Sequence, residues 1–276
     1  MLEDLLDRET DFDAAIIGPL DERVQEIRTT QFPWNTIVYL CRDFGNGRCS
    51  GCSGILISPV QVLTAGHCLW SLRHRGSPRR LYVIPGRRDR RVMPYGSIPA
   101  RRWWVPRGFV EDSPPPAWGA RQNWDWGLIE LATPVQGIRR FVPLCPQTDA
   151  ALQRLSETGR ITVAGYPSDR PIGTMWRHRE RIVGHGPYRL FHTVDTCPGH
   201  SGSAILADLR GRPGIIGVHT AGLLDPEGHT YGCRRGTVLA PPGSRNSGVR
   251  LRPAMVAAIG TPSASRAGPA NMVRLP

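Results

Sequence analysis

Apolar and β-branched residues fall into short runs separated by glycine, proline and other turn residues, from about position 31 to position 240. Runs of about four to eight such residues bounded by turn signals are typical of β-strands. Six runs make a first set: 36–41, 54–57, 60–64, 81–84, 103–105 and 127–131. Six more make a second set: 161–164, 181–183, 190–193, 203–206, 214–219 and 236–239. The pattern predicts an all-β protein.

The two sets of strands predict two six-stranded antiparallel β-barrels with a cleft between them for a ligand. A weakly helical stretch at 148–157 is predicted to connect them. We therefore expect an N-terminal barrel over 16–147 and a C-terminal barrel over 148–260, the latter ending in a short helix at 253–259. The Ser-, Ala- and Pro-rich residues 261–276 have little to bury and are predicted to form a mobile tail.

The first residues of the chain differ in charge from the rest. Acidic residues dominate positions 1–13, whereas the remainder is basic. No charged-then-apolar signal sequence opens the chain. We interpret residues 1–15 as the remnant of a pro-segment that has lost its signal peptide; a solvated N-terminal tail is the alternative interpretation.

The formal net charge is +12, and all 35 basic residues are arginine. Codon usage alone would explain this bias; an electropositive surface that attracts acidic substrates or polyanions is the other interpretation. The arginines are scattered, and no nucleic-acid-binding signature accompanies them, so we predict no nucleic-acid partner. No window of about 18 apolar residues is present, so we predict no transmembrane helix and no membrane partner.

Seven cysteines in a chain of 276 residues indicate disulfides and an oxidising compartment, and hence a secreted protein. Cys49 and Cys52 have the spacing of half a zinc site, but no matching second pair follows, so we predict no metal. Because the number of cysteines is odd, at least one thiol is free or bonded to another chain.

The first motif with chemistry is Thr-Ala-Gly-His-Cys at 64–68, directly after a predicted strand. A general base needs a fixed ring, and Cys68 can staple this turn through a disulfide with Cys52, sixteen positions earlier. Closing a loop of that size contributes roughly 3 kcal/mol. A lone histidine is more often structural, but this context predicts that His67 is a general base.

The second motif places Asp125 at the head of an apolar strand, between Trp124 and Trp126. The two indoles can shield the carboxylate from water. A partly buried carboxylate is tolerated when it is hydrogen-bonded, and an imidazole N–H would serve. A strand-initiating turn aspartate is the alternative if the motif is considered alone.

The third motif is Cys-Pro-Gly-His-Ser-Gly-Ser at 197–203. A serine flanked by glycines suits a tight turn that presents its hydroxyl and directs backbone N–H groups at one point. We predict an oxyanion hole from the N–H groups of Gly199 and Ser201, where one donor is worth about 2.7–4 kcal/mol. The Gly-x-Ser-x-Gly elbow of another hydrolase fold differs, because here Ser203 stands at its last glycine and a strand follows.

The order His67, Asp125, Ser201 is that of the chymotrypsin arrangement, not of subtilisin or the α/β-hydrolases. We predict that His67 takes the proton of Ser201 as it attacks a peptide carbonyl, while Asp125 orients the imidazole and stabilises its charged form. An acyl-enzyme forms and water then hydrolyses it.

With these motifs, the sequence resembles the chymotrypsin-like serine peptidases and, within them, the bacterial glutamyl endopeptidases. Further similar stretches are at 17–18, 21–23, 30–33, 94–97, 165–167 and 173–176. The resemblance covers about residues 16 to 240. It implies a double β-barrel and peptide-bond hydrolysis without a cofactor.

In the glutamyl endopeptidase branch, a threonine five residues before the nucleophile and a histidine in the following strand line the primary specificity pocket. These match Thr196 and His219. A hydroxyl and an imidazole N–H can both donate to a substrate carboxylate, so the resemblance implies cleavage after Glu, or Asp. It also implies a mature N-terminal amine near the pocket, which cleavage close to residues 14–16 would generate.

Other features of the resemblance concern the nucleophile segment. Animal-type relatives have a disulfide beside the pocket, which implies a Cys197–Cys233 bond here; the pairing of Cys41, Cys49 and Cys145 stays open. The sequence departs from the family pattern just before the nucleophile. His200 stands where trypsin-type activation uses an aspartate, and Ala204 replaces a common proline.

The sequence therefore predicts a secreted, monomeric serine endopeptidase that acts on protein or peptide substrates carrying acidic residues. One alternative is a chymotrypsin-like peptidase of different specificity. Another is an inactive homologue that binds polyanions through its arginines.

Overall fold

The structure is a computed structural model that describes residues 15–71, 74, 76–110, 119–222, 233, 244–260 and 271–276. The predictions for the pro-segment up to residue 14, the strand at 236–239 and the tail at 261–270 lie outside these residues. No helix in the described ranges is both long and apolar enough to cross a bilayer.

The described residues form β-strands that we number in chain order. They are β1 (Val24–Gln25), β2 (Ile37–Asp43), β3 (Ser50–Ser58), β4 (Gln61–Thr64), β5 (Arg80–Pro85), β6 (Ile98–Pro106), β7 (Gly127–Leu131), β8 (Ile161–Gly165), β9 (Trp176–Glu180), β10 (Ile182–His185), β11 (Arg189–His192), β12 (Ala204–Asp208), β13 (Pro213–Gly222), β14 (Asn246–Arg250) and β15 (Met272–Arg274).

The helices are short. They are α1 (Arg107–Val110), α2 (Gly119–Gln122), α3 (Asp149–Thr158) and α4 (Pro253–Gly260), with 3₁₀ turns at Trp34–Thr36 and Gly66–Cys68. Thr148 caps α3, because its hydroxyl accepts the N–H of Ala151 at 3.2 Å. The helices predicted at 148–157 and 253–259 are therefore present.

The first sheet is a closed barrel built from the six strands β2 to β7. Its order is β6-β5-β2-β3-β4-β7, and pairing between β6 and β7 closes the ring. All the strand pairs are antiparallel. Buried apolar side chains hold the barrel together, among them the fully buried Ile37, Leu40, Ile55, Leu63 and Ile129. The predicted first set of strands corresponds to these six.

The second sheet is also antiparallel, in the order β1-β9-β8-β12-β13-β14-β11-β10. It has more strands than the predicted six because β1, β9 and β14 lack a strand-like pattern. The residues of β9 are Trp-Arg-His-Arg-Glu and those of β14 are Asn-Ser-Gly-Val-Arg. Every residue of β14 is nevertheless buried, since β14 lies between β11 and β13. The predicted all-β, chymotrypsin-like fold class is confirmed.

The end of the chain corrects one prediction. Residues 272–274 form β15, which pairs antiparallel with β6 from Pro106 to Trp104. Met272 and Leu275 are both buried in the first barrel. The mobile-tail prediction is therefore wrong for 271–276, because two apolar side chains in a Pro- and Ser-rich context suffice to dock a short edge strand.

Candidate active site

His67 lies in the 3₁₀ turn Gly66–Cys68 that follows β4, and both oxygens of Asp125 hold it. The backbone N–H of His67 donates to Asp125 Oδ1 at 2.8 Å, and its Nδ1 lies 2.8 Å from Asp125 Oδ2. A carboxylate partner fixes the proton on Nδ1, which leaves Nε2 as the basic nitrogen. The structure thus brings His67 and Asp125 into direct contact.

Asp125 is buried in the turn between α2 and β7, and its pKa reflects two opposing effects. Burial alone would raise the pKa of this carboxyl group. The charge and hydrogen bonds of His67 outweigh burial, with a smaller contribution from Arg189, so the pKa lies below its usual value. Asp125 therefore stays ionised and can stabilise an imidazolium.

Ser201 lies in a turn of the second sheet that packs against the barrel carrying His67. The carbonyl oxygen of Ser201 accepts the N–H of Ser53 on β3 at 2.9 Å. A Cβ on Gly202 would come within 2.2 Å of Thr64 Oγ1, which shows how closely the turn approaches the residues before His67. Ser201 Oγ is buried and forms no hydrogen bond within the described part of the chain.

Ser53 connects the two sheets directly beneath the nucleophile turn. Its hydroxyl donates to the carbonyl of Gly199 at 2.7 Å and accepts the N–H of Tyr166 at 2.9 Å. The Tyr166 ring also packs edge-on against Tyr39 of β2. One serine on β3 therefore fixes the position of the predicted oxyanion loop relative to the first barrel.

The predicted oxyanion hole has an appropriate backbone conformation. Gly199 has a φ of +98°, and a Cβ at this position would lie 2.5 Å from the carbonyl oxygen of Tyr166. Only glycine meets both conditions. The N–H groups of Gly199 and Ser201 donate to no protein acceptor among the described residues. Both remain available to a substrate oxygen.

His200, immediately before Ser201, anchors the nucleophile turn from the inside. It is fully buried, its Nδ1 accepts the N–H of Cys197 at 3.1 Å, and its Nε2 lies 3.4 Å from the carbonyl oxygen of Trp176. Burial, reinforced by the charge of Arg23, lowers the pKa of His200 to about 3. A neutral imidazole thus occupies the position where trypsin-type activation uses an aspartate.

The predicted pocket residues Thr196 and His219 are both completely buried and flank the nucleophile turn. The backbone of His219 on β13 pairs with this turn. The N–H of Gly202 donates to the carbonyl oxygen of His219, and the N–H of His219 donates to the carbonyl oxygen of Ser203, both at 2.8 Å. Thr196 Oγ1 has no hydrogen-bond partner within the described ranges. Thr196 thus directly precedes the nucleophile turn along the chain, and His219 pairs with that turn through its backbone.

The ring of a second histidine, His192 of β11, lies beside the ring of His219, with centroids 5.3 Å apart. Burial, together with the neighbouring His219 and Arg189, holds the pKa of His192 well below its usual value. His192 is neutral at ordinary pH. No sequence motif marks His192 beyond its place within a short apolar run.

The segment from Ala15 to Glu22 lies against the residues before Thr196. Ile17 N–H and Glu22 N–H donate to the two oxygens of Asp195, at 2.8 and 2.9 Å. Ala15 is buried; its N–H donates to Asn246 Oδ1 at 2.9 Å, and its carbonyl accepts Thr196 N–H at 3.2 Å. We did not assign a role to Asp195 from the sequence, although it directly precedes Thr196.

Both predicted disulfides are present. Cys52–Cys68 links β3 to the His67 turn, and Cys197–Cys233 lies beside Thr196. Cys41 and Cys49 form a third disulfide, and Cys145 is a free cysteine. The pairing that the sequence left open is thus defined.

Two groups of potential metal ligands occur among the described residues. Cys52, His67 and Cys68 form one, but both cysteines are in a disulfide and cannot act as thiolate ligands. Glu22, His178 and Asp195 form the other. There, both Asp195 oxygens accept backbone N–H groups, and His178 Nδ1 accepts the N–H of Asp195 at 2.8 Å. These atoms are engaged in holding the N-terminal segment.

Comparison with known proteins identifies relatives of this arrangement. The chain is 29% identical over 225 residues to the glutamyl endopeptidase of Bacillus licheniformis, which covers 80% of this chain and 65% of that protein. It is 30% identical over 212 residues to a Bacillus subtilis protein named extracellular metalloprotease, covering 76% and 63% of the two. The chain thus spans slightly less than two thirds of these curated relatives.

Solved structures share the fold. A Glu endopeptidase structure superposes with a TM-score of 0.67 at 26% identity, over 87% of this chain and 95% of that one. The protease Anisep from Arthrobacter nicotinovorans has the same fold, with a TM-score of 0.58 at 16% identity, over 83% and 93% of the two chains. The family model named Trypsin matches residues 23–236. This chain therefore belongs to the trypsin, or chymotrypsin-like, family.

Proposed function

We propose that this chain is a secreted serine endopeptidase that hydrolyses peptide bonds through an acyl-enzyme on Ser201. The observation that carries the proposal is the double hydrogen bond from the backbone and ring of His67 to Asp125. The glycine-flanked serine turn packs on the residues just before His67. A general base held in one tautomer next to a buried hydroxyl is the arrangement that nucleophilic catalysis requires.

In this mechanism His67 Nε2 takes the proton of Ser201 as its oxygen attacks the scissile carbonyl. Asp125 stabilises the imidazolium that forms. The N–H groups of Gly199 and Ser201 bind the developing oxyanion, and Ser53 and Tyr166 hold that loop in position. His67 then protonates the leaving amine, and water attacks the acyl-enzyme by the same steps in reverse.

The preferred residue before the cleaved bond is Glu, or Asp. Support comes from the buried hydroxyl of Thr196 and the imidazole of His219 beside the nucleophile, which can donate to a carboxylate. Several of the curated relatives are named glutamyl endopeptidases. The net charge of +12 favours the approach of acidic substrates.

Activation by cleavage close to residues 14–16 is part of the proposal. Ala15 is already buried beside Asn246 and Thr196, so a new amine there would lie next to the specificity pocket without a large rearrangement. Secretion is supported by the three disulfides and by the extracellular relative named above.

To test the proposal, the protein is activated by limited proteolysis and its new N-terminus is sequenced. The activated protein is then assayed with a peptide library in which the residue before the cleaved bond varies. A new N-terminus at residues 14–16 and cleavage after Glu or Asp are expected. Charged hydrogen bonds are worth about 1.5–3 kcal/mol, so Glu should exceed the isosteric Gln by roughly 10- to 100-fold. Thr196→Val should reduce that ratio while preserving cleavage.

The neighbouring serine provides the control. An organophosphonate should label the wild type and Ser203→Ala but not Ser201→Ala. The residual turnover of Ser201→Ala should fall to roughly 10³–10⁴ over water. An unlabelled wild type would support the inactive homologue instead, and equal cleavage after Glu and Gln would support a peptidase of other specificity.

A further inference from the structure

Arg189, on β11 of the second sheet, is a buried cation close to the candidate catalytic pair. Only 8% of its surface is exposed. Its guanidinium donates to the carbonyl oxygen of Gln122 at 2.7 Å and to Ser247 Oγ. No carboxylate of the described residues forms an ion pair with it within 4.0 Å. Burying a charge without such a partner is costly, so its presence requires an explanation.

The contacts of Arg189 join the second sheet to the turn that carries Asp125. Gln122 ends α2, and its carbonyl also receives the N–H of Asp125 at 3.4 Å. Ser247 on β14 donates in turn to the carbonyl of Ala221 near the end of β13, the strand that carries His219. One guanidinium therefore links the Asp125 turn of the first barrel to β14 and β13.

The charge of Arg189 acts on the same pair. Burial lowers the pKa of Arg189 to about 10, against the opposing attraction of Asp125, so the group is still cationic at neutral pH. The same cation contributes to the lowered pKa of Asp125. A positive charge on this side of Asp125 offsets part of the field that the carboxylate exerts on His67.

We propose that Arg189 is a positioning residue for the candidate catalytic pair: it fixes the Asp125 turn through Gln122, and its charge makes His67 available as a base at lower pH. This inference rests on the proposed function of His67 and Asp125. Removing the cation strengthens the net negative field at His67, favours the imidazolium, and moves the acid limb of the activity profile to higher pH.

Other charged groups also face the pair and stay in place in the variants. From β2, the guanidinium of Arg42 lies 3.4 Å from the carbonyl oxygen of His67. Arg121 stacks over Phe109, which packs on Gly66, and Arg252 stacks over Trp124 next to Asp125. His192 and His219 approach from the second sheet. These residues are unchanged in every variant at position 189, and the titration of His192, which also lies in the field of Arg189, is followed beside that of His67.

The test compares Arg189→Met, Arg189→Gln and Arg189→Lys with the wild type. The pH dependence of kcat/KM and the NMR titration of His67 in a Ser201→Ala background are measured. For the two neutral variants, the midpoint should rise by roughly 0.5–1 pH unit, so that kcat/KM below the midpoint falls by about three- to tenfold. Arg189→Lys keeps the charge and should keep the midpoint.

Arg250→Met is the matched control, because Arg250 is a similarly buried arginine on the adjacent β14. Its guanidinium bonds to Asp149 and to the carbonyls of Gln147 and Gly186, and no contact of it with His67 or Asp125 occurs among the described residues. This control should lower the melting temperature and leave the midpoint unchanged.

If the neutral variants lose stability as the control does and the midpoint does not move, the proposal is overturned. Arg189→Gln keeps a donor for Gln122 and supplies the neutral measurement if Arg189→Met does not fold. The NMR titration needs no turnover, so it reports on Arg189 even if the wild type proves inactive. An inactive wild type would refute the proposed function, whereas an unmoved His67 titration would refute the role of Arg189.

Discussion

At the scale of single residues, the site depends on side chains that no sequence motif identifies. His67, Asp125 and Ser201 were predicted because each lies in a distinctive local sequence. Ser53 and Arg189 were not, because a serine and an arginine in a strand acquire a role only through residues more than 50 positions away. Their contribution is to hold the Ser201 and Asp125 turns in place, which only the folded chain defines.

Ser53→Ala tests this at the oxyanion loop. The change leaves the carbonyl of Gly199 and the N–H of Tyr166 without their buried partner, and each unsatisfied group costs about 1–3 kcal/mol. We expect the free energy of unfolding to fall by about 2–4 kcal/mol. We also expect kcat to fall more than KM rises, because the oxyanion donor shifts.

Ser58→Ala, at the other end of β3, is the control for that experiment. Its hydroxyl is only half buried and contacts Gln61 and Val60. This variant should unfold and turn over almost as the wild type does. Equal losses in the two serine variants, measured by urea unfolding and steady-state kinetics, would exclude a special role for Ser53.

At the scale of elements, hydrophobic runs predicted the first barrel well because each strand carries its own apolar face. Such apolar runs are absent from β9 and β14, where Arg, Asn, Ser and Gly replace apolar residues, so these two strands were not predicted. These strands exist because both edges are paired with neighbours, and such pairing leaves no local signal. The strand β15 was not predicted either, because three residues are too few to show an alternation of apolar and polar positions.

The docking of β15 predicts a position-dependent effect on stability. Met272 is buried, whereas Val273 is only half buried. We expect Met272→Ala to lower the free energy of unfolding by about 2–5 kcal/mol, since large-to-small changes in a core cost this much. Val273→Ala should cost less than about 1 kcal/mol, as partly exposed positions do.

Urea unfolding of the two variants measures the difference. Both variants replace an apolar residue of β15 by alanine, so the intrinsic strand propensity changes in the same direction in the two. A Met272→Ala variant as stable as Val273→Ala would mean that residues 271–276 do not pack on β6 in solution.

At the scale of the whole molecule, buried neutral histidines couple stability to pH. The pKa of His200 is lowered to about 3 and that of His192 lies well below its usual value, in both cases chiefly through burial. In the unfolded chain both rings titrate at about pH 6.5. Unfolding below that pH therefore takes up protons, and the stability contributed by the two groups is fully present only above about pH 6.5.

Between pH 6.5 and 5 the histidines dominate this dependence, because carboxylates titrate at lower pH. Each buried histidine that the unfolded chain protonates adds about 1.4 kcal/mol per pH unit to the slope of stability against pH. We expect the free energy of unfolding to fall with decreasing pH across this window. His200→Gln should remove about half of the histidine slope even if it lowers stability at pH 7.

The control is His185→Gln, since His185 lies at the partly exposed end of β10. Equilibrium unfolding at several pH values between 5 and 7.5 gives the slopes directly. A slope that is the same for the wild type and His200→Gln would mean that His200 is already protonated in the folded protein. An imidazolium there would lie against the N–H of Cys197, so the nucleophile turn would need a different hydrogen-bond arrangement from the one described.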